Sequence, residues 1–402
     1  MTLAKLPITS YINFIVIAYA FIVPISRAGI VFFSLLLILL WLFEGGFQAK
    51  YRLLSQNKVI LALLGFLLFN ILSLLWSNNV GDAYHYIVKY WYFLPMIVLF
   101  TSVQKASIPK ILSAFIAGMF VSEMLSYGVF FEVWEFKHAT AENPSPFMHH
   151  IEYSIFLAFT ALIILGRIFN HKEVKYQLLY SLFFMSIIGN LFLTAGRTGQ
   201  IAFLVGIFVL AFISFQNKFK AFVVFVLLSS FISFIAFNFS STFHQRILAA
   251  KTNILHAIED QKYCSSLGAR IGACIVVGDM ILSDPLLGVG IIDNMEVFHA
   301  KIDKDYPQMQ CLHLSFMHLH NQFWQITTQL GLVGLFLFLM LFYRIFTLNI
   351  REHEYSNIKY VYVILLMFAF IPEVLFHRQF SMALFTLIVG LLLAQYRIEN
   401  EV

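Results

Sequence analysis

The amino-acid sequence predicts an all-α polytopic membrane protein of about twelve transmembrane helices, with one large helical loop outside the cytoplasm. Two features of composition and one pattern predict it. Hydrophobic residues make up 60% of the 402 and charged residues only 12%, against the roughly 25% charged residues of a water-facing domain. The apolar residues gather into runs of roughly 16–25, each long enough to cross about 30 Å of hydrocarbon as a helix. The alternating ten-residue segments of a membrane β-barrel are absent.

Taken in order, spans are expected near residues 9–26, 29–46, 59–76, 84–101, 109–131, 151–168, 177–195, 199–215, 219–238, 321–344, 357–375 and 380–396. Their connections alternate in charge. One side holds Lys5; Lys50, Arg52 and Lys58; Lys105 and Lys110; Arg167, Lys172 and Lys175; Lys218 and Lys220; Arg344, Arg351 and Lys359; and Arg397. The short connections of the other side hold only Arg27, Lys89, Lys137, Arg197 and Arg378. Positive residues concentrate in cytoplasmic loops, so the first side is expected inside, with both termini. The net charge of +5 is accounted for by these anchors; no basic block exists to bind nucleic acid. The first apolar run lacks a small-residue cleavage site and leads straight into a second span, so it reads as a span and not as a cleavable signal.

The chain is thus expected to divide into 1–238 (spans one to nine), 239–320 (the outside loop) and 321–402 (spans ten to twelve and a cytoplasmic end). The loop is polar but helical in pattern. Ile247, Leu248, Ile254, Leu255 and Ile258 recur at helical spacing, as does a second run from Arg270 to Leu282. Asp284-Pro285 stops that second helix, and Gly288 and Gly290 allow a tight turn. A smaller outside loop, from Glu132 to His150, is acidic and contains Pro144 and Pro146. Cys264, Cys274 and Cys311 all fall in the large loop. They are either small buried hydrophobes or include one disulfide, since the periplasm is oxidising. Cys264 with Cys311 is the favoured pair because Cys274 lies within an apolar helix face, though spacing alone leaves the pairing open.

Positive residues on the outer side are the first candidates for chemistry. Arg197 lies in Leu193-Thr194-Ala195-Gly196-Arg197-Thr198-Gly199-Gln200, between two long apolar spans. An Arg at that boundary either snorkels or binds an anion. Flanking glycines let backbone approach a ligand, and a guanidinium grips phosphate in a forked, permanently charged contact. Arg270 opens a helix in Gly268-Ala269-Arg270-Ile271-Gly272, and could equally be a solvated helix-end charge. Arg27 and Arg378, at span ends, are further candidates for the same anionic site. His320 stands where the loop re-enters the membrane, in His318-Leu319-His320-Asn321-Gln322-Phe323. A neutral imidazole can take a hydroxyl proton near pH 7; the bland alternative is an ordinary interfacial histidine. With His313 and His318 nearby a zinc site must be weighed, but no outside Cys or carboxylate falls at a convincing spacing to complete it, and none is expected. There is no P-loop, dinucleotide fingerprint or nucleophile elbow. Glu123 is the nearest approach to the mid-span charge of an ion-coupled transporter.

Three pieces of sequence carry a family resemblance: Thr194-Ala195-Gly196-Arg197-Thr198-Gly199; Arg270 followed by Asp284-Pro285-Leu286-Leu287-Gly288-Val289-Gly290; and His320-Asn321-Gln322-Phe323 running into Gln329-Leu330-Gly331-Leu332-Val333-Gly334. In this order, with the large loop between spans nine and ten, the chain resembles bacterial O-antigen ligases, within the superfamily of O-antigen polymerases and protein O-oligosaccharyltransferases. The resemblance implies a GT-C-like fold in the bacterial inner membrane and a periplasmic active site. It further implies a glycan donor linked to undecaprenyl pyrophosphate, an acceptor hydroxyl on lipid A–core, surrounding membrane lipids, and no metal, nucleotide sugar or other cofactor. By match, Arg197 and Arg270 would bind the pyrophosphate and His320 would activate the acceptor, giving inversion without a covalent intermediate.

Rival readings remain. Polymerases often carry Arg-x10-Gly motifs in two outside loops; here the positions eleven after Arg197 and Arg270 are Phe208 and Ile281, which tilts the reading toward a ligase. A protein-glycosylating relative would use a Ser or Thr acceptor at a similar site. A lipid-linked glycan transporter could use the same arginines without chemistry, and a structural partner of an envelope complex would tolerate their neutral replacement.

Overall fold

The structure, a computed structural model, describes residues 7–170, 173–239, 244, 245, 248 and 263–400. Of the first helical run expected in the large loop, Leu248 alone is described, as helical; Ile247, Ile254, Leu255 and Ile258 lie outside the described residues.

The described chain is helical throughout, with no strand. It runs α1 (Ile8–Ile22), α2 (Arg27–Glu44), α3 (Phe47–Gln56), α4 (Lys58–Leu72), α5 (Val80–Val88), α6 (Leu94–Ser102), α7 (Ile108–Phe130), α8 (His150–Asn170), α9 (Val174–Leu193), α10 (Arg197–Ser214) and α11 (Lys218–Phe239). The large connection contributes α12 (Ser266–Ser283), α13 (Asn294–Asp305) and α14 (Gln310–Ser315), and the chain closes with α15 (Gln322–Phe346), α16 (His353–Ala369) and α17 (Gln379–Asn400). Among the described residues nine helical segments are at least 18 residues long and apolar enough to cross a membrane: α2, α4 with the turn after it, α7 to α11, α15 and α17. Helix α1 is apolar but has 15 residues, and α16 has 17. The span expected at 84–101 is not one helix: α5 and α6 are joined by a 3-10 turn over Lys89–Phe93. Pro95, in the first turn of α6, has no N–H with which to continue an α-helix from upstream.

Helices α8 and α17 form the inside of the bundle, each with 78% of its apolar window buried, against 17% for α2 and 11% for α11, which keep lipid-facing surfaces. Small residues let α10 lie close against α8. A Cβ on Gly199 would stand 2.2 Å from the Ser154 carbonyl, and one on Gly196 2.5 Å from the His150 carbonyl. Close backbone approach of this kind is how helices associate where apolar packing is already supplied by lipid. In Arg197's segment the glycines therefore serve helix packing; the backbone they admit belongs to α8 and not to a ligand.

A second device positions the segment that follows α12. Helix α15 is interrupted at Gly331, whose φ of 64° lies in the left-handed region open to glycine. The carbonyls of Thr328 and Gln329, freed by the break, accept from the backbone N–H groups of Val289 and Gly290 at 3.0 Å each. The N–H groups of Leu332 and Val333 donate in turn to Pro285 and Leu286 at 2.8 and 3.3 Å. Residues 285–290 thus fill the gap, with every exchanged backbone group satisfied, as the membrane interior requires. Gly288 and Gly290, expected to allow a tight turn, have φ of 66° and 113°, and the turn they allow makes this docking contact. Helix α12 ends at Ser283, directly before Asp284-Pro285, as expected. Cys264 and Cys311 form a disulfide with a Cα–Cα distance of 5.7 Å. Cys274 is exposed, so the pair is the one favoured from sequence although the apolar burial invoked for Cys274 is not found.

Candidate functional site

The connections that precede α2, α8, α10, α15 and α17 meet α12 at one end of the bundle, and there the candidate residues converge on a buried acid. Asn321 caps α15, its side-chain oxygen accepting from Phe323 and Trp324 N–H at 2.9 and 3.0 Å. Gln322 then latches the start of α15 to the loop before α17. Its N–H donates to the Phe370 carbonyl at 2.8 Å, and its side-chain oxygen accepts from Leu375 and Phe376 N–H at 2.9 Å each. This latch sets Glu373 beside His318 and His320. His320 has a φ of 48°, a conformation that costs a non-glycine residue on the order of 1–3 kcal/mol and tends to occur where surrounding structure dictates it.

Glu373 has no exposed side-chain surface. Its carboxylate lies 3.2 Å from His318 Nε2, 3.4 Å from His320 Nδ1 and 3.3 Å from Arg378 Nη2. Burial alone would raise its pKa, but His320 and the charge of Arg378, with His318, outweigh it and hold the acid down to about 2. Glu373 Oε2 and His320 Nδ1, facing each other, have no hydrogen-bond partner of better geometry. His318 is shifted down by burial, with the Glu373 charge opposing the shift.

The arginines surround this core. Arg270 sits in the second turn of α12, which begins at Ser266, so it does not open the helix as the sequence suggested. It is half-buried and its Nε has no partner. Burial lowers its pKa, the Glu373 charge acts to raise it and the Arg197 charge to lower it, so all three groups share one electrostatic environment. Arg197 is the first residue of α10, exposed, with no carboxylate partner among the described residues. Arg378 is committed to Glu373 and also approaches His318 Nε2 at 3.5 Å. Arg27 stands at the start of α2, its guanidinium 5.6 Å from the Phe380 ring centroid, and its charge reaches His149 together with that of Arg378.

The structure brings Arg197, Arg270, Arg378 and His320 to one site, with Arg27 at its edge. Sequence reasoning missed Glu373, which it placed inside a span ending at 375. Pro372 and the following His377-Arg378 were the available signals that this lone acid stands in a polar connection. It also missed His377, which stacks on Tyr86 at 3.8 Å and meets Lys89 Nζ at 2.8 Å. Burial, reinforced by the Lys89 charge, lowers His377 to about 3, so it is neutral and can accept from the ammonium. His318, His320 and Glu373 offer ligand atoms within 4.8 Å of one another, a set able to hold a metal ion.

A buried carboxylate set against two imidazoles, with guanidinium groups around it in an all-α membrane bundle, defines a class of site suited to anionic substrates. Residues 181–339, under half of the chain, match the family model described as O-antigen ligase, whose members are glycosyltransferase-like enzymes. That stretch contains Arg197, Arg270 and His320; Glu373 and Arg378 lie beyond it. No curated protein matches the chain.

Proposed function

We propose that the protein is an O-antigen ligase, which transfers a glycan from undecaprenyl pyrophosphate to a sugar hydroxyl of lipid A–core in the periplasmic leaflet of a bacterial inner membrane. The observation that carries this reading is the pairing of His320 Nδ1 with buried Glu373 at 3.4 Å, in a site where the charges of Arg270 and Arg197 meet.

The carboxylate faces Nδ1 and orients the ring, which leaves Nε2 as the base. The acceptor hydroxyl gives its proton to Nε2 as its oxygen bonds to the anomeric carbon, on the face opposite the diphosphate. The bond from that carbon to the phosphate oxygen breaks, and its electron pair leaves with the pyrophosphate. Configuration is inverted and no covalent enzyme intermediate is needed. Arg197 and Arg270 stabilise the charge developing on the leaving group, where fixed cations contribute most. Arg27 extends the positive rim, and Arg378, tied to Glu373, has its second face for the same anion. The bond chemistry needs no metal. The Cys264–Cys311 disulfide supports an oxidising compartment for α12 to α14.

Reconstitution of the purified protein in liposomes with both lipids tests the reading. Product that joins donor glycan to lipid A–core, without ATP or an ion gradient, is the expected result. Lengthened donor glycan would make it a polymerase, and movement of donor without product a transporter. In cells, His320→Ala is expected to abolish long-chain lipopolysaccharide at normal protein levels, and persistent ladders would remove His320 from the base role.

A further inference from the structure

The group His318, His320 and Glu373 has a geometry that proton transfer does not require. A tetrahedral zinc ion bound at about 2.0–2.1 Å places its ligand atoms about 3.3–3.5 Å apart. His318 Nε2 lies 3.2 Å from Glu373 Oε1, and His320 Nδ1 lies 3.4 Å from Glu373 Oε2. All three residues offer ligand atoms within 4.8 Å of one another. Glu373 is fully buried and its Oε2 has no hydrogen-bond partner, nor has His320 Nδ1. Two imidazoles and a carboxylate suit zinc and its neighbours better than calcium or magnesium. The local opposition is Arg378, whose Nη2 stands 3.3 Å from Glu373 Oε1 and 3.5 Å from His318 Nε2. A cation can enter only as that guanidinium swings aside, which fits a conditional occupant and not a resident cofactor.

We propose that His318, His320 and Glu373 form an inhibitory site for a divalent transition cation of the zinc class. The cation takes Nδ1 of His320 and both oxygens' attention from Glu373, so the ring loses its carboxylate support and, carrying a bound cation, no longer accepts a proton. Inhibition rests on the reading of His320 as the base; binding of the cation does not.

The test uses full-length protein in detergent, freed of its affinity tag and stripped with EDTA, then titrated with Co(II) and back-titrated with Zn(II). One saturating equivalent with the visible absorption of four-coordinate Co(II), displaced by Zn(II), is expected. Loss of an outer-shell partner alone costs about 10–100-fold in metal affinity, so His318→Ala, which deletes a ligand, is expected to cost about 100-fold or more. His313→Ala is expected to change nothing, and Arg378→Gln to tighten binding at least about tenfold by removing the competing charge. Size-exclusion profiles show which variants are folded; should His318→Ala fail, Glu373→Gln and Arg378→Gln give opposite shifts that still decide. No saturable Co(II) signal, or a signal unchanged in these variants, overturns the site. In the transfer assay Zn(II) is expected to stop turnover and EDTA to restore it. Cation binding that leaves transfer intact overturns His320 as the base while the cation site stands.

Discussion

Exchange of Glu373 for glutamine removes one negative charge with almost no change of shape. The carboxylate lies fully buried between two imidazoles and a guanidinium, at 3.2 to 3.4 Å. Holding it at about 2 instead of its usual 4.5 corresponds to roughly 3 kcal/mol in favour of the charged form. Because the folded-state value is lowered, that stabilisation is complete above about pH 4.5 and is lost as the pH falls toward 2. At pH 7 glutamine forfeits it and leaves half-buried Arg378 without its counter-charge, so the variant is expected to melt at a lower temperature.

The larger effect is expected on turnover. A positioned base contributes on the order of 10²–10⁴ to rate, and Glu373 acts through that base without touching substrate. In liposomes with both lipids, Glu373→Gln is expected to lower kcat by about 10²–10⁴. Its KM for donor should be unchanged or lower, because the positive rim loses the carboxylate paired with Arg378. A fold defect would lower the yield and melting temperature but spare kcat in the folded fraction, and Glu373→Asp should restore part of the rate. Transfer within tenfold of wild type would refute the pairing of Glu373 with His320.

Arg197→Ala and Arg270→Ala are each expected to cost about 10²–10³ in transfer rate, with lysine rescuing only partly because it lacks the fork; donor-dependence assays read this directly. Cys264→Ser opens a loop whose ends are 47 residues apart, worth up to about 4 kcal/mol by chain entropy; faster proteolysis between α11 and α15 is expected. Gly199→Ala places a methyl 2.2 Å from the Ser154 carbonyl, and such overpacking costs about 1–3 kcal/mol. A reduced yield and melting temperature are expected, with normal chemistry in the fraction that folds.

The membrane architecture was legible because lipid imposes a simple rule: long apolar runs must be helices. That rule found α7 to α11, α15 and α17 within a few residues. It failed at 84–101, where Pro95 and a 3-10 turn break a run of sufficient hydropathy, because hydropathy is blind to local hydrogen bonding. It failed again at Glu373, since an averaged window absorbs a single acid among apolar neighbours. Arg27, Arg197, Arg270 and Arg378 were legible as positive residues set against the charge alternation of the connections, and His320 as a titratable group at the edge of an apolar run. Their common partner was not, because His320 and Glu373 meet only through the Gln322 latch between α15 and the loop after α16. The role of the glycines beside Arg197 was misjudged for a related reason: Gly196 and Gly199 do allow close approach, but spacing alone cannot say whether the visitor is a ligand or another helix.

The charge balance of the site links these observations. Arg27, Arg197, Arg270 and Arg378 gather at one end of the bundle, and within ion-pair distance of any of them only Glu373 is found among the described residues. That acid is already shared with two histidines. A guanidinium cannot relieve repulsion by losing its proton, so the excess positive charge must be met by water, by headgroups or by a bound anion. Arg270 makes the case most sharply, because it is half-buried, its Nε lacks a partner, and Arg197 adds to its cost. Glu152, buried in the first turn of α8 and hydrogen-bonded by Ser381, adds its field to that of Glu373 at Arg27 and Arg378 but is ion-paired with neither. Under the proposed function, a site that must release and rebind a diphosphate gains from leaving Arg197 and Arg270 without an ion-paired carboxylate, since an internal anion would compete with each turnover. On that reading the donor's diphosphate supplies the missing negative charge and is brought beside His318 and His320, the two imidazoles that Glu373 backs.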